Sequence, residues 1–132
     1  MRIAADTNVL LRAAVRDDPQ QAVSAAKALR SADLVAVSVS ALCEFAWVMR
    51  RAYKSSALEV ARSIRSLITS PNVVTNRPAV EAGLALLDKG DDFADGVIAY
   101  EGEWLGADEF VSFDKKAVSL LKAQGKRARL LS

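Results

Sequence analysis

The sequence predicts an α/β domain built on a mainly parallel sheet. Two observations carry this prediction. Short apolar runs of three to five residues alternate with longer stretches of helical periodicity, and those stretches open on capping residues and close on glycines. Strands are predicted at residues 2–5, 34–37, 73–75, 109–112 and 128–131. Asp6 follows the first strand and is placed to cap the helix after it. Residues 20–32 are Ala-rich and helical, and residues 41–53 form another helix with Ser40 as its cap. Ser56-Ala57-Leu58-Glu59 is an S-x-x-E capping box that opens a helix reaching about Thr69. Asn76 or Arg77 opens the next, which runs to Lys89 and stops at Gly90. Asp92 is placed to cap a helix over residues 93–105 with Gly106 just past its end, and a last helix over residues 115–124 ends at Gly125.

The bulk numbers bound the rest. At 132 residues and 52% apolar, the chain is expected to fold as one domain, residues 1–132, without linker or repeat. Its longest stretch without a formal charge, residues 66–76, falls well short of the ~18 residues a membrane span needs. Asp6 and Arg12 interrupt the N-terminus before a signal-type apolar run of roughly 7 to 15 residues forms, and there is a single Cys. A cytoplasmic protein without membrane association is the expectation.

The chain has no His, which removes Ser-His-Asp and Cys-His catalysis, histidine zinc sites and histidine-based RNase chemistry. Polar chemistry must then come from carboxylates, Lys and Arg, hydroxyls, amides, or a metal on oxygen ligands. The net charge of +2 is uneven: residues 115–132 hold six basic and no acidic side chains, and the other 114 residues hold 12 basic and 16 acidic ones. That tail can meet a polyanion such as RNA, or simply be a solvated helix and edge strand.

Four acids sit among apolar neighbours near strand exits or helix starts: Asp6, Glu44, Asp95 and Asp114. Each has an ordinary alternative. Asp6 and Asp114 can be N-caps, and Asp95 can complement the dipole of the helix it begins. Glu44 has Ser40, Ala41, Trp47 and Val48 as helical neighbours, which puts a carboxylate on a largely apolar face, to be paired with Arg50 or Arg51 or with a metal. Taken together, three of the four fall where sheet passes to helix along one edge, which is where α/β sheets bind ligands. Carboxylates brought together repel unless a hard divalent cation binds them. An all-acid site in a chain without His therefore points to metal-assisted phosphoester hydrolysis.

Four segments then bear on family. Ile3-Ala4-Ala5-Asp6-Thr7-Asn8-Val9-Leu10-Leu11-Arg12, Glu44-Phe45-Ala46-Trp47-Val48-Met49-Arg50-Arg51, Asp92-Phe93-Ala94-Asp95-Gly96-Val97-Ile98-Ala99 and Ser112-Phe113-Asp114-Lys115-Lys116 resemble, in order and spacing, the PIN-domain ribonucleases. Most closely they resemble the VapC toxins of bacterial type II toxin-antitoxin systems. The resemblance implies a three-layer α/β/α fold and an endoribonuclease that uses Mg²⁺ or Mn²⁺ to activate the water that attacks an RNA phosphodiester. Asp6 and Asp95 match the most direct metal ligands, and Glu44 and Asp114 match the other two acids. Asn8, and less directly Thr7 and Ser112, match polar residues that orient a carboxylate or a water on the metal. Lys115, Lys116 and Arg12 are placed to steer the RNA backbone. The resemblance also implies a small antitoxin partner and a homodimer. Gly96 departs from the family, where Ala often follows this Asp, and is expected to weaken the helix start by up to ~1 kcal/mol and loosen Asp95.

Two other readings compete. One is a non-catalytic PIN-fold binding protein. The other is a receiver-type phosphoacceptor module, which wants an acidic pair after the first strand and a Lys closing a late one, whereas Phe110-Val111-Ser112 ends without a Lys.

Overall fold

The computed structural model describes residues 1–132, which divide into two compact units, Met1–Asn76 and Arg77–Ser132. In Met1–Asn76 the order is β1 (Arg2–Ala4), α1 (Thr7–Val15), α2 (Pro19–Ser31), β2 (Leu34–Ala36), α3 (Val39–Arg51), α4 (Ala57–Ile68) and β3 (Val73–Val74). The strands pair in parallel in the order β1-β2-β3, with Ile3 opposite Val35 and Val35 opposite Val73. Parallel neighbours need helical crossovers, and α1 with α2 and α3 with α4 supply them. The carboxyl ends of these strands therefore share one edge, where Asp6, Ser38 and Thr75 follow. The core of this unit is built on Val35, Leu42, Val60, Ala61 and Ile64, all fully buried.

Local chemistry explains the helix starts. Asp6 Oδ1 accepts from Val9 N at 3.0 Å, and Asp18, followed by Pro19 at the first helical position, accepts from Gln21 N at 3.1 Å. The Ser56–Glu59 capping box forms as expected, with Glu59 Oε1 accepting from Ser56 N and Ser56 Oγ from Glu59 N. One cap is misplaced in the sequence reading. Ser38, not Ser40, caps α3, its Oγ accepting from Ala41 N at 3.1 Å. Val37 is still held in the sheet, its N–H donating to Val74 O at 2.9 Å, so Ser38 is the first residue able to turn the chain.

Arg77–Ser132 contains α5 (Arg77–Leu87), α6 (Phe93–Trp104), β4 (Phe110–Ser112), α7 (Lys115–Ala123) and β5 (Ala128–Leu130). Strands β4 and β5 pair in parallel, Phe110 opposite Ala128 and Ser112 opposite Leu130. Gly90, Gly106 and Gly125 have positive φ and follow the three helices, as their positions in the sequence predict. Leu86, Val118, Leu121 and Ala128 form a buried cluster under this layer. The basic tail is partly neutralised here: Lys126 pairs with Glu103 at 3.2 Å and Arg129 with Glu109 at 2.7 Å. No helix of the chain is long and apolar enough to cross a membrane.

Helices α5 and α6 approach through two glycines. The ring of Phe93 lies where a Cβ on Gly83 would sit, only 2.6 Å away, and a Cβ on Gly96 would lie 2.1 Å from the backbone oxygen of Ala82. Gly96 thus does the reverse of what its helix propensity suggests. It allows the first turn of α6 to press against α5, and so fixes Asp95 instead of loosening it. Gly96→Ala should lower stability by about 1–3 kcal/mol through overpacking, in spite of a propensity gain of up to ~1 kcal/mol. Urea unfolding followed by circular dichroism measures this, and an equal or higher stability contradicts the close-approach account.

Candidate functional site

In Met1–Asn76, Asp6, Thr7 and Glu44 lie together at the carboxyl edge of the sheet. A cleft of about 460 Å³ is lined by Asp6, Thr7, Asn8, Leu11, Arg12, Glu44, Val48, Ala52 and Tyr53. An adjoining one of about 340 Å³ shares Asp6, Thr7 and Glu44 and adds Ser38 and Ser40. Thr7 Oγ1 donates to Glu44 Oε2 at 3.2 Å, which holds the carboxylate toward the cleft. Because Ser38 caps α3, Ser40 is freed from that role and lines the adjoining cleft.

Glu44 itself corrects an expectation. It is exposed, since α3 buries Ala41, Leu42, Phe45, Ala46 and Met49, while Trp47 is 60% exposed. The Trp47 ring is covered by the Arg51 guanidinium, 5.5 Å from its centroid. The apolar neighbours of Glu44 in sequence therefore do not bury it. Arg12 lines the cleft, but its guanidinium is held by Asp17 at 3.1 Å, and Asp17 also accepts from the Tyr53 hydroxyl at 3.2 Å. An Arg–Asp–Tyr wall results, whose Asp17 and Tyr53 had no signal in the sequence.

In Arg77–Ser132 the structure brings Asp95 and Asp114 together with a third acid, Asp91, each offering an oxygen within 4.8 Å of the others. Asp95 is the third residue of α6, where the helix dipole favours a carboxylate. Asp114 caps α7, its Oδ1 accepting from Lys116 N at 3.0 Å and Ala117 N at 3.1 Å. Its own N–H donates to Ser112 Oγ at 2.9 Å, so Ser112 fixes the loop that carries Asp114. Lys115 and Lys116 are exposed beside it. Asp92 occupies the N-cap position of α6 in extended backbone, yet its side chain makes no capping bond.

Asp91 was not a candidate from sequence, where it is one of two adjacent Asp residues in a turn. The turn is what buries it. Gly90 N donates to Leu87 O at 2.8 Å and Asp91 N to Leu86 O at 3.0 Å, the paired bonds of a Schellman motif, with Gly90 at φ 83°. The residue after the left-handed glycine is folded back against the helix, and an apolar side chain usually takes that place. Here it is a carboxylate, 7% exposed, whose Oδ2 is buried without a hydrogen-bond partner.

The electrostatics follow. Burial, reinforced by the charges of Asp91, Asp92 and Asp114, pushes the Asp95 carboxyl up to about 7. Asp91 is raised as well, first by burial and then by Asp114. The donor set is oxygen alone, acidic and crowded. An octahedral Mg²⁺ holds oxygens at about 2.1 Å, hence roughly 3 to 4.2 Å from one another. Closing the triad to that spacing takes a contraction of at most roughly 2 Å, so the residues present suit a small hard cation.

The profile of one family, the PIN domain, matches residues 3–121 of the chain. No curated protein matches it. A three-layer α/β/α fold with parallel strands goes with that match.

The raised carboxyls make stability pH-dependent in a definite direction. Folded Asp95 keeps its proton up to about pH 7, whereas its ordinary value is 3.8. The folded state therefore binds more protons across that window, and metal-free stability must fall as pH rises through it. Glu59, held low by the Ser56 N–H, acts the other way only below its ordinary value of 4.5. Thermal unfolding of metal-free protein should show a midpoint that declines from pH 5 to pH 7.5, with Asp95→Asn flattening the decline. A midpoint that rises over this range contradicts the assignment.

Proposed function

The chain belongs to the PIN domain family, and from that premise we propose that it is a Mg²⁺- or Mn²⁺-dependent endoribonuclease, the toxin of a type II toxin-antitoxin module. PIN domains are generally metal-dependent nucleases that bind divalent ions through acidic residues. One observation carries the reading for this chain: three carboxylates crowded within 4.8 Å, one of them buried with an unpartnered oxygen, in a protein that has no imidazole. The like charges oppose folding unless a cation offsets them. When bound, a divalent cation supplies Lewis acidity and a lowered pKa for water, and it neutralises charge on a phosphate.

The chain's own residues supply the rest. Asp95 and Asp114 are assigned as metal ligands, with Oδ1 of Asp114 tied to the α7 N-terminus so that Oδ2 is the oxygen left to bind. Asp6 and Glu44 are assigned the same role from the resemblance, and Asp6 likewise spends one oxygen on its cap. Thr7 keeps Glu44 oriented, and Asn8 lies in the same cleft as a further donor to a carboxylate or the scissile phosphate. Lys115 and Lys116 offer exposed ammonium groups to the RNA backbone beside Asp114. Arg12, already held by Asp17, contributes a fixed edge of the cleft more than a free charge. In this reading RNA is the substrate, a small antitoxin is the inhibitor, and the toxin works as a homodimer. A PIN-fold protein that only binds its partner is the alternative, and it predicts no cleavage at all.

Asp6→Asn and Asp95→Asn keep the side-chain shape and remove one charge each. Each variant should lose at least about 100-fold of Mn²⁺-dependent RNA cleavage while circular dichroism shows a folded chain. Wild-type rates in either variant refute the assignment. Induced expression should arrest bacterial growth, and co-expression of a short neighbouring gene should relieve it.

A further inference from the structure

Asp91 stands outside the four acids that the sequence pattern assigns, and it is the most buried acid of the triad. Its carboxylate is only partly satisfied: it accepts from the Asp92 backbone N–H and shares a side-chain hydrogen bond with Asp95. It caps no helix, since Asp92 holds the N-cap position of α6, and its Oδ2 has no donor. The ammonium of Lys116 lies near the turn, 3.2 Å from where a Cβ on Gly90 would be, and still leaves that oxygen without a bond. Buried carboxylate oxygens are almost always hydrogen-bonded or bound to metal. Within the triad Asp114 is an acceptor when charged, and Asp95 donates to Asp91 only while it holds its proton.

We propose that Asp91 is a direct ligand of the divalent cation, so that the Schellman turn after α5 adds a third carboxylate to Asp95 and Asp114. The turn geometry supports this. The Leu86 and Leu87 carbonyls fix the backbone of residues 90 and 91, and the side chain needs no rearrangement of a helix to reach the ion. Rigid backbone on one side and the capped Asp114 on the other present oxygens from two separate loops, with Asp95 from the first turn of α6 between them in sequence. A third carboxylate also adds negative charge, which strengthens binding of a small cation at the expense of the metal-free fold.

This inference rests on the metal-dependent reading above, and its test separates the two. Metal-free, full-length protein is titrated with Mn²⁺ by calorimetry, and its thermal midpoint is recorded with and without the ion. Wild type should bind. Asp91→Asn should weaken binding at least about tenfold and shrink the Mn²⁺-induced rise in midpoint, with a metal-free midpoint no lower than that of wild type. Asp92→Asn removes an equal charge from an exposed neighbour and should change affinity less than about threefold. On the unsubstituted chain, Mg²⁺ should shift the carboxyl ¹³C resonances of Asp91, Asp95 and Asp114 together. Wild-type affinity in Asp91→Asn, or an Asp91 resonance that stays still while the other two move, overturns the proposal and leaves the nuclease reading intact. A wild-type chain that binds no Mn²⁺ overturns both.

Discussion

Crowded like charge is the constraint that organises Arg77–Ser132. Carboxylates whose oxygens lie within 4.8 Å of one another resist being brought together, and each has to be held by backbone that cannot relax. Three devices do this. The Gly90 turn fixes Asp91, the capping bonds of α7 fix Asp114, and the glycine contacts between α5 and α6 fix the turn that carries Asp95. Asp95 retains its proton to about pH 7 first because it is buried and then because Asp91, Asp92 and Asp114 crowd it with like charge. Such arrangements survive where a ligand later offsets the strain, which is why perturbed acids gather at functional sites.

Met1–Asn76 handles its acids differently. Asp6 and Glu44 are exposed. What distinguishes them is position. Asp6 leaves β1 at the carboxyl edge of a parallel sheet, and Glu44 meets it there through Thr7. At Asp6 and Asp114 the N-cap role does not exclude the metal-ligand role proposed for them. A cap consumes one carboxylate oxygen, fixes the rotamer and leaves the second oxygen pointing away from the helix.

Much of this was legible in the sequence because the signals were local. Strand centres, the Ser56–Glu59 capping box and the glycines at 90, 106 and 125 depend on a few neighbouring residues, and the structure has each of them. Errors arose where a neighbour in space decided. Ser38 outranked Ser40 because Val37 was still bonded to β3. The sequence puts Glu44 on a largely apolar helix face, but Trp47 on that face meets solvent under Arg51. Gly96 has the propensity of a weak helix former, but the Ala82 backbone occupies the space a side chain there would need. Asp91 was invisible for a related reason: a polar residue in a turn reads as solvated, and only the Schellman geometry folds it inward.

On the proposed reading the chain cuts RNA by chemistry that carboxylates and a divalent cation supply, with no imidazole in it. With no histidine to serve as a base, all activity must vanish when the ion is withdrawn. The direct measurement is RNA cleavage by wild-type protein, freed of contaminating RNase, in excess EDTA and again after Mn²⁺ is restored. The account predicts no cleavage in EDTA and full recovery with Mn²⁺. Cleavage that persists in EDTA at the same rate contradicts it.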